Sequence, residues 1–229
     1  NGGIKDSTLI EYQNLNYFST IKDHTKYEIK YDSLGRDFER YATRIETGET
    51  HLNYRKIYNS ESKITEWIIY NRDGKVNSKT FYFYDSLNRL VKSEKYYGYF
   101  LYDKPVLERK KVFEYNSQML IKETEFSSVG ASDKFDSKLI KEYNNKGQQI
   151  DYRSVTMENG STVSFWGFKS FYKDKKLVKE ERYDSDNRII LTEYTYNSLN
   201  LPIVNYSLDL TLNKPTQLIK YYYLENKKT

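Results

Sequence analysis

Polar and apolar residues alternate along most of this chain. Between Lys26 and Tyr31 the order is Lys, Tyr, Glu, Ile, Lys, Tyr. A period of two places alternate side chains on opposite faces of a β-strand. This strand pattern continues from Tyr27 to Tyr223, whereas the segment from Leu9 to Lys22 has a mixed spacing that leaves a short helix and an irregular edge strand both open.

A five-residue signature separates the predicted strands: tyrosine, then Asp or Asn, two free positions, and then Gly or Asn. It occurs at Tyr31–Gly35, Tyr70–Gly74, Tyr84–Asn88, Tyr143–Gly147, Tyr183–Asn187 and Tyr196–Asn200. The short side chain of Asp or Asn opens a type I turn because it accepts hydrogen bonds from backbone amides two positions on. Gly or Asn then stands where the chain needs a positive φ. The signature therefore predicts short hairpin loops with a bulge on the exit.

A second pattern, two aliphatic residues followed by lysine, comes after several of these turns. It is found at residues 90–92, 120–122, 139–141, 177–179 and 218–220. Strand, tight turn and strand thus form a repeating unit. We expect an all-β fold, an antiparallel β-meander of repeated hairpins that forms a curled single sheet or an open barrel-like body. We expect residues 1–22 to be an N-terminal tether or edge segment and residues 23–229 to be one repeat domain.

The composition agrees with a folded β protein. The mean hydropathy of -0.87 is low, but 17% of the 229 residues are aromatic and 25 of them are tyrosine. Disordered chains are poor in aromatic residues and lack regular alternation. We therefore expect a core of Tyr and Phe, with Lys and Glu on the outer face.

The charge balance and the cysteine content exclude several kinds of site and function. The net charge of +5 arises from 37 basic and 32 acidic residues, and their interleaving favours cross-strand Lys–Glu pairing. The absence of cysteine excludes disulfides, thiolate catalysis and zinc–cysteine sites.

No apolar run approaches the roughly 20 residues of a membrane helix, so we expect no membrane span. The start at Asn1, without Met, suits a trimmed or mature exported form with a lipid anchor upstream.

Three copies of the turn signature resemble a known bacterial repeat. Residues 31–36 read YDSLGR, residues 84–90 read YDSLNRL, and residues 183–189 read YDSDNRI. They resemble the YD repeats of the Rhs family, whose pattern is Tyr-Asp, two variable residues and Gly-Arg-Leu. The resemblance implies long antiparallel sheets and a location at the cell surface or in the periplasm of a bacterium. The family has no catalytic residue in its repeats, so the resemblance assigns none here.

No sequence motif of this chain predicts a catalytic residue, a metal site or a cofactor. The two histidines lack ligand spacing, and nucleophile elbows and phosphate-binding glycine loops are absent. Glu94, Glu123, Glu142 and Glu180 recur just after the aliphatic–aliphatic–lysine pattern, which favours cross-strand pairing over catalysis. A carbohydrate hydrolase with paired carboxylates is one alternative. Single-stranded nucleic-acid binding is the other, although the mixed charges do not favour a nucleic-acid partner.

The candidate ligand-binding residues are aromatic, and all except Trp67 lie where the repeat is interrupted. The segment 96–106 packs aromatic residues before a proline, residues 126–135 form an insertion, and residues 164–172 place a tryptophan beside a glycine. Such irregular places usually carry the specific function of a repeat scaffold. We predict ligand contacts from Trp67, Tyr97, Tyr99 and Trp166. The predicted function is a non-catalytic, exported binding or scaffold module that presents an aromatic-rich β-surface to a glycan or protein at the cell envelope.

Overall fold

The computed structural model describes residues 10–13, 17–22, 24–98, 104–128 and 134–222. Those up to Lys110 belong to one compact unit, called unit 1, and those from Lys111 to a second, called unit 2. The described residues contain β-strands and turns and no helix.

Strands β1 to β8 belong to unit 1: Ile10–Gln13, Tyr17–Lys22, Thr25–Tyr31, Asp37–Arg44, Thr50–Tyr58, Ile64–Tyr70, Val76–Tyr84 and Leu90–Tyr97. Strand β9, Val106–Asn116, contains the boundary between the units. Strands β10 to β17 belong to unit 2: Met119–Ser127, Ser137–Tyr143, Gln149–Glu158, Ser161–Lys173, Lys176–Asp184, Ile189–Tyr196, Pro202–Asp209 and Lys214–Lys220. The mixed segment before Lys22 therefore contains strands β1 and β2, which settles its open assignment.

Within each unit, strands adjacent in the chain pair antiparallel, from β1 to β8 in unit 1 and from β10 to β17 in unit 2. The predicted all-β meander of hairpins is thus confirmed. Turns, rather than long crossovers, set this order, because most connections have two to five residues and return the chain beside the strand that it has just left.

Both faces of the sheet are partly open to solvent. Every residue of β3 is half-buried, and the same holds for most of β8 and β11. The apolar residues that are buried are few: Ala42, Tyr54, Ile68, Val106 and Val155. The sequence-based expectation of an aromatic core on one face was therefore wrong in this respect, because strands in a single layer share their apolar and charged residues between two half-exposed faces.

The turn signature forms as its chemistry predicts. At the first copy, the Asp32 Oδ1 atom accepts hydrogen bonds from the amides of Leu34 at 2.9 Å and Arg36 at 3.0 Å. Gly35 follows with a φ of 73°, and the strand register shifts beside Tyr31. Equivalent side-chain-to-amide bonds form at Asn59, Asn71, Asp85, Asn144, Asp184 and Asn197. The Asn59 turn lies outside the strict signature, since Ser62 occupies its positive-φ position.

Tyrosine hydroxyl groups add bonds that link neighbouring hairpins. Tyr58 and Tyr84, each at the end of a strand before a turn, donate to the carbonyl oxygens of Asp37 and Ile64, both at 2.8 Å. In unit 2, Tyr196 donates in the same way to the Leu177 carbonyl oxygen at 2.7 Å. Each acceptor is at or next to the start of the strand that pairs directly with the tyrosine's own strand and follows the preceding turn. These signature tyrosines therefore both pack and tie one repeat to the next.

Candidate binding surfaces

Trp166 is the most exposed of the described candidate residues, with 53% of its surface open to solvent. It lies on β13 beside the ring of Tyr152 on β12, at a centroid distance of 5.2 Å. The Tyr152 ring also stacks on Phe168 at 4.9 Å, with only 6° between the ring planes. These three rings, Tyr152, Trp166 and Phe168, form a continuous aromatic platform on one face of unit 2.

Gly167 allows this strand to pack closely on its opposite face. It is paired with Arg153 on one side and Tyr183 on the other. A Cβ atom at Gly167 would come within 2.9 Å of the Tyr183 ring and would collide with the Tyr152 carbonyl oxygen. Glycine is therefore required because two neighbouring groups occupy the space of a side chain.

The ring of Tyr183 reaches across Gly167 to β12. Its hydroxyl group donates to Asp151 Oδ1 at 3.2 Å and accepts from Arg153 Nε at 3.3 Å. Burial raises the pKa of Tyr183, while the hydrogen bond from Arg153 opposes the rise. The irregular segment 164–172 thus has two parts: Gly167 serves packing, and Trp166 remains exposed on the other face.

Trp67 lies in a different environment, inside a polar and aromatic cluster of unit 1. Its ring meets the ring of Tyr54 edge-on at 6.1 Å. The Lys56 ammonium group lies 5.6 Å from the Trp67 ring centroid and forms a 2.6 Å ion pair with Asp37. Trp67 is half-buried, and its Nε1 atom is buried without a hydrogen-bond partner in the part of the chain that the structure describes. These contacts make Trp67 a packing residue of this cluster, with less free ring surface than Trp166.

Asp37 is the charged centre of the cluster around Trp67. The Tyr54 hydroxyl group donates to Asp37 Oδ2 at 2.8 Å. Burial opposes ionisation of Asp37, but hydrogen bonds from Lys56 and Tyr54 outweigh it and lower the pKa of this carboxyl group. Burial and the nearby Asp37 charge raise the pKa of Tyr58 to about 12. Asp37 is therefore held as a carboxylate and is not poised to act as an acid.

Of the remaining two candidates, Tyr97 and Tyr99, only Tyr97 is among the described residues. Tyr97, 36% exposed, lies on β8 opposite Ser78 of β7. On the register, β7 separates it from Trp67 on β6. Tyr99 lies outside the described residues. In unit 1 the structure therefore does not bring Trp67 and Tyr97 into one contact site.

The recurring glutamates pair with cations, but Glu94 and Glu180 do so within their own strands rather than across strands as predicted. Glu94 lies 3.1 Å from Lys92, and Glu123 lies 3.2 Å from Lys111. Glu180 is buried and lies 2.9 Å from Arg182. Among the described residues, no cluster of three or more His, Asp or Glu side chains could hold a metal ion, and no described helix has the length and apolarity to cross a membrane.

Comparison with known proteins assigns this chain no family. No family model and no curated protein matches the chain. The chain is similar to two crystal structures described as TcdB2-TccC3 and TcdB2-TccC3-TEV, each with 9% sequence identity and a TM-score of 0.24. Each match covers 94% of this chain and only 16% of the other. Likeness at this level carries no inference about activity, substrate or partner.

Proposed function

We propose that this chain is a non-catalytic binding module that holds a glycan on the aromatic platform of Tyr152, Trp166 and Phe168. The observation that carries the proposal is the exposure of Trp166, 53%, at the end of a row of packed rings. A tryptophan left open to water forgoes the burial that normally stabilises so large an apolar surface. Exposed apolar patches of this kind mark sites that another molecule covers.

A sugar chain matches the chemistry of this platform. One face of a pyranose ring carries mainly C–H groups, which stack on aromatic rings, while its hydroxyl groups point outward and need polar partners. Ser154 and Asp184 flank Trp166 in the strand register, one on each side. Ser154 offers a hydroxyl group, and Asp184 offers a carboxylate whose Oδ1 atom already accepts from the turn amides of Asp186 and Arg188. An exposed ring at the end of this row favours binding along a sugar chain over enclosure in a catalytic cleft.

In unit 1, two carboxylates lack the raised pKa that a catalytic acid needs. A glycosidase needs one carboxyl group with a raised pKa to donate a proton, opposite a second carboxylate. Asp37 and Glu39 have pKa values below their ordinary ones, because tyrosine hydroxyl groups and cations stabilise their charged forms against the effect of burial. The resemblance of the turn signature to YD repeats extends the proposal to an exported protein of the bacterial cell envelope.

Glycan-array screening followed by calorimetry of the best binder tests the proposal. Trp166→Ala should weaken binding by about tenfold or more, since a stacked ring at the centre of an interface is worth ~1–3 kcal/mol. Phe171→Ala is the matched control, because Phe171 is a 41% exposed aromatic residue on the opposite face of the same strand. Equal loss in both variants would contradict the proposal, as would release of reducing sugar from the bound glycan. Binding of single-stranded DNA or of an envelope protein at Trp166, with no glycan bound, would replace it with another ligand class.

A further inference from the structure

A recess lies in unit 1, on strands β3 to β6. Its floor is the cross-strand row of Tyr27, Ala42 and His51. Ala42 is only 3% exposed and carries a methyl group where its neighbours carry rings, so the surface dips at this point. The resulting groove has a volume of about 800 Å³, which is large enough for a small polar ligand.

Polar side chains that are fixed by hydrogen bonds form one side of this groove. The guanidinium group of Arg40 lies between the rings of Tyr27 and Tyr54, 4.9 Å and 4.8 Å from their centroids. Asn53 Oδ1 accepts hydrogen bonds from both Nε and Nη2 of Arg40. Asn53 itself lines the groove, and because its oxygen is engaged, its Nδ2 group is the part left to donate to a ligand.

A register shift in β5 places Asn53 in this position. Opposite β4, the partners pass from Tyr54 directly to Leu52, so Asn53 is the extra residue of a β-bulge. Bulges re-aim side chains and are frequent beside binding sites. The amide of Asn53 is thus fixed twice, by the backbone and by Arg40.

Two arginines stand at the rim of the groove. Arg44 ends β4 and Arg72 belongs to the turn between β6 and β7. Both side chains are exposed, and neither forms an ion pair within the described part of the chain. Glu49 and Asp73 also line the rim, and carboxylates accept hydrogen bonds from ligand hydroxyl groups.

We infer that this groove binds a saccharide that bears a carboxylate, such as a uronic acid unit. Arg44 and Arg72 take the carboxylate, because guanidinium groups bind it through paired hydrogen bonds. Glu49 and Asp73 accept from the hydroxyl groups, and the Tyr27 and Tyr70 side chains line the recess. The inference extends the proposed glycan binding to an acidic sugar but depends on residues of unit 1 alone.

Calorimetric titration with a galacturonate disaccharide, and with its uncharged galactose counterpart, tests the inference. The wild-type chain should prefer the acidic sugar, and Arg44→Ala with Arg72→Ala should weaken its binding by about tenfold or more. Lys75→Ala is the matched control: it removes a positive charge from an exposed residue next to the same turn but outside the groove. That variant should bind within about twofold of the wild type.

The results separate this groove from the aromatic platform. Thermal melts equal to the wild type should accompany the loss in the arginine variant, because both arginines are exposed. Equal affinity for the acidic and neutral sugars, or an equal loss in Lys75→Ala, overturns the inference. Loss of uronate binding in Trp166→Ala with retention in the arginine variant also overturns it, and assigns the acidic sugar to the platform instead.

Discussion

The hydroxyl group of Tyr84 donates a 2.8 Å hydrogen bond to the carbonyl oxygen of Ile64, which begins the strand that pairs directly with the strand of Tyr84. The bond spans 20 residues of sequence. It gives the tyrosine of the turn signature a role that a phenylalanine cannot fill, because only the hydroxyl group satisfies the carbonyl oxygen.

Tyr84→Phe should lower the free energy of unfolding by about 0.5–1.5 kcal/mol, the net contribution of one partly buried hydrogen bond. Urea denaturation checks this. Tyr97→Phe serves as the control in the same unit, since Tyr97 is 36% exposed and its hydroxyl group makes no bond to a described residue. An equal effect of the two substitutions would show that the Tyr84 bond contributes nothing.

Gly167→Ala should be more destabilising than Gly147→Ala, although both replace a glycine of unit 2. The new methyl group at Gly167 collides with a backbone oxygen and the Tyr183 ring, so we expect a loss of about 2–3 kcal/mol. Gly147 has open space around it but a φ of 74°, which costs about 1 kcal/mol in alanine after the entropy gain. Denaturation of both variants checks the order, and the reverse order would contradict the packing assigned to Gly167.

The turns and strands of this fold could be predicted from sequence because their causes are local. Asp32 and Gly35 carry the turn within five residues, and alternation of side chains assigns the strands. The Tyr84–Ile64 bond and the place of Trp67 in a charged cluster depend on register between distant strands, which the pattern does not reveal.

The candidate sites also depend partly on local sequence and partly on the register between distant strands. Trp166 could be identified as an interruption of the repeat, but its partner rings come from two strands, so only the structure shows the platform. The arginine-rimmed groove depends on Ala42 lying beside rings on adjacent strands and on a bulge at Asn53. A small residue among aromatic ones was the available signal, but its neighbours could not be known without the register.

Acidification should destabilise unit 1 through Asp37. Hydrogen bonds from Lys56 and Tyr54 lower the folded-state pKa of Asp37 below its ordinary value of 3.8, against the opposing effect of burial. A lowered folded pKa contributes stability that is complete above the unfolded pKa and is lost as the pH falls through the folded pKa. Urea titrations from pH 7 to about pH 2.5 should therefore show a fall below pH ~4 that is smaller in Asp37→Asn.

The control for that experiment is Asp73→Asn, which changes an exposed turn carboxylate with no ion pair among the described residues. It should retain the acid-dependent loss of the wild type. Because Asp37→Asn also weakens the bonds to Lys56 and Tyr54, the variant should be less stable at pH 7 and should converge on the wild type in acid. Parallel curves at all pH values would contradict the role assigned to the Asp37 charge.

Lys175→Gly should stabilise the chain, because the turn between β13 and β14 carries a lysine at positive φ, where the signature turns carry Gly or Asn. Asp174 and Lys175 both have positive φ, 50° and 69°, a two-residue turn that normally carries Asn-Gly or Asp-Gly. A lysine in this conformation costs ~1–2 kcal/mol. Glycine removes this cost, but it loses more conformational entropy on folding, which offsets part of the stabilisation. The expected net gain is therefore about 0.5–1 kcal/mol in urea denaturation. Asn200→Gly should change stability less, because asparagine already tolerates its φ of 64°; a larger gain there than at Lys175 would contradict the strain assigned to this lysine.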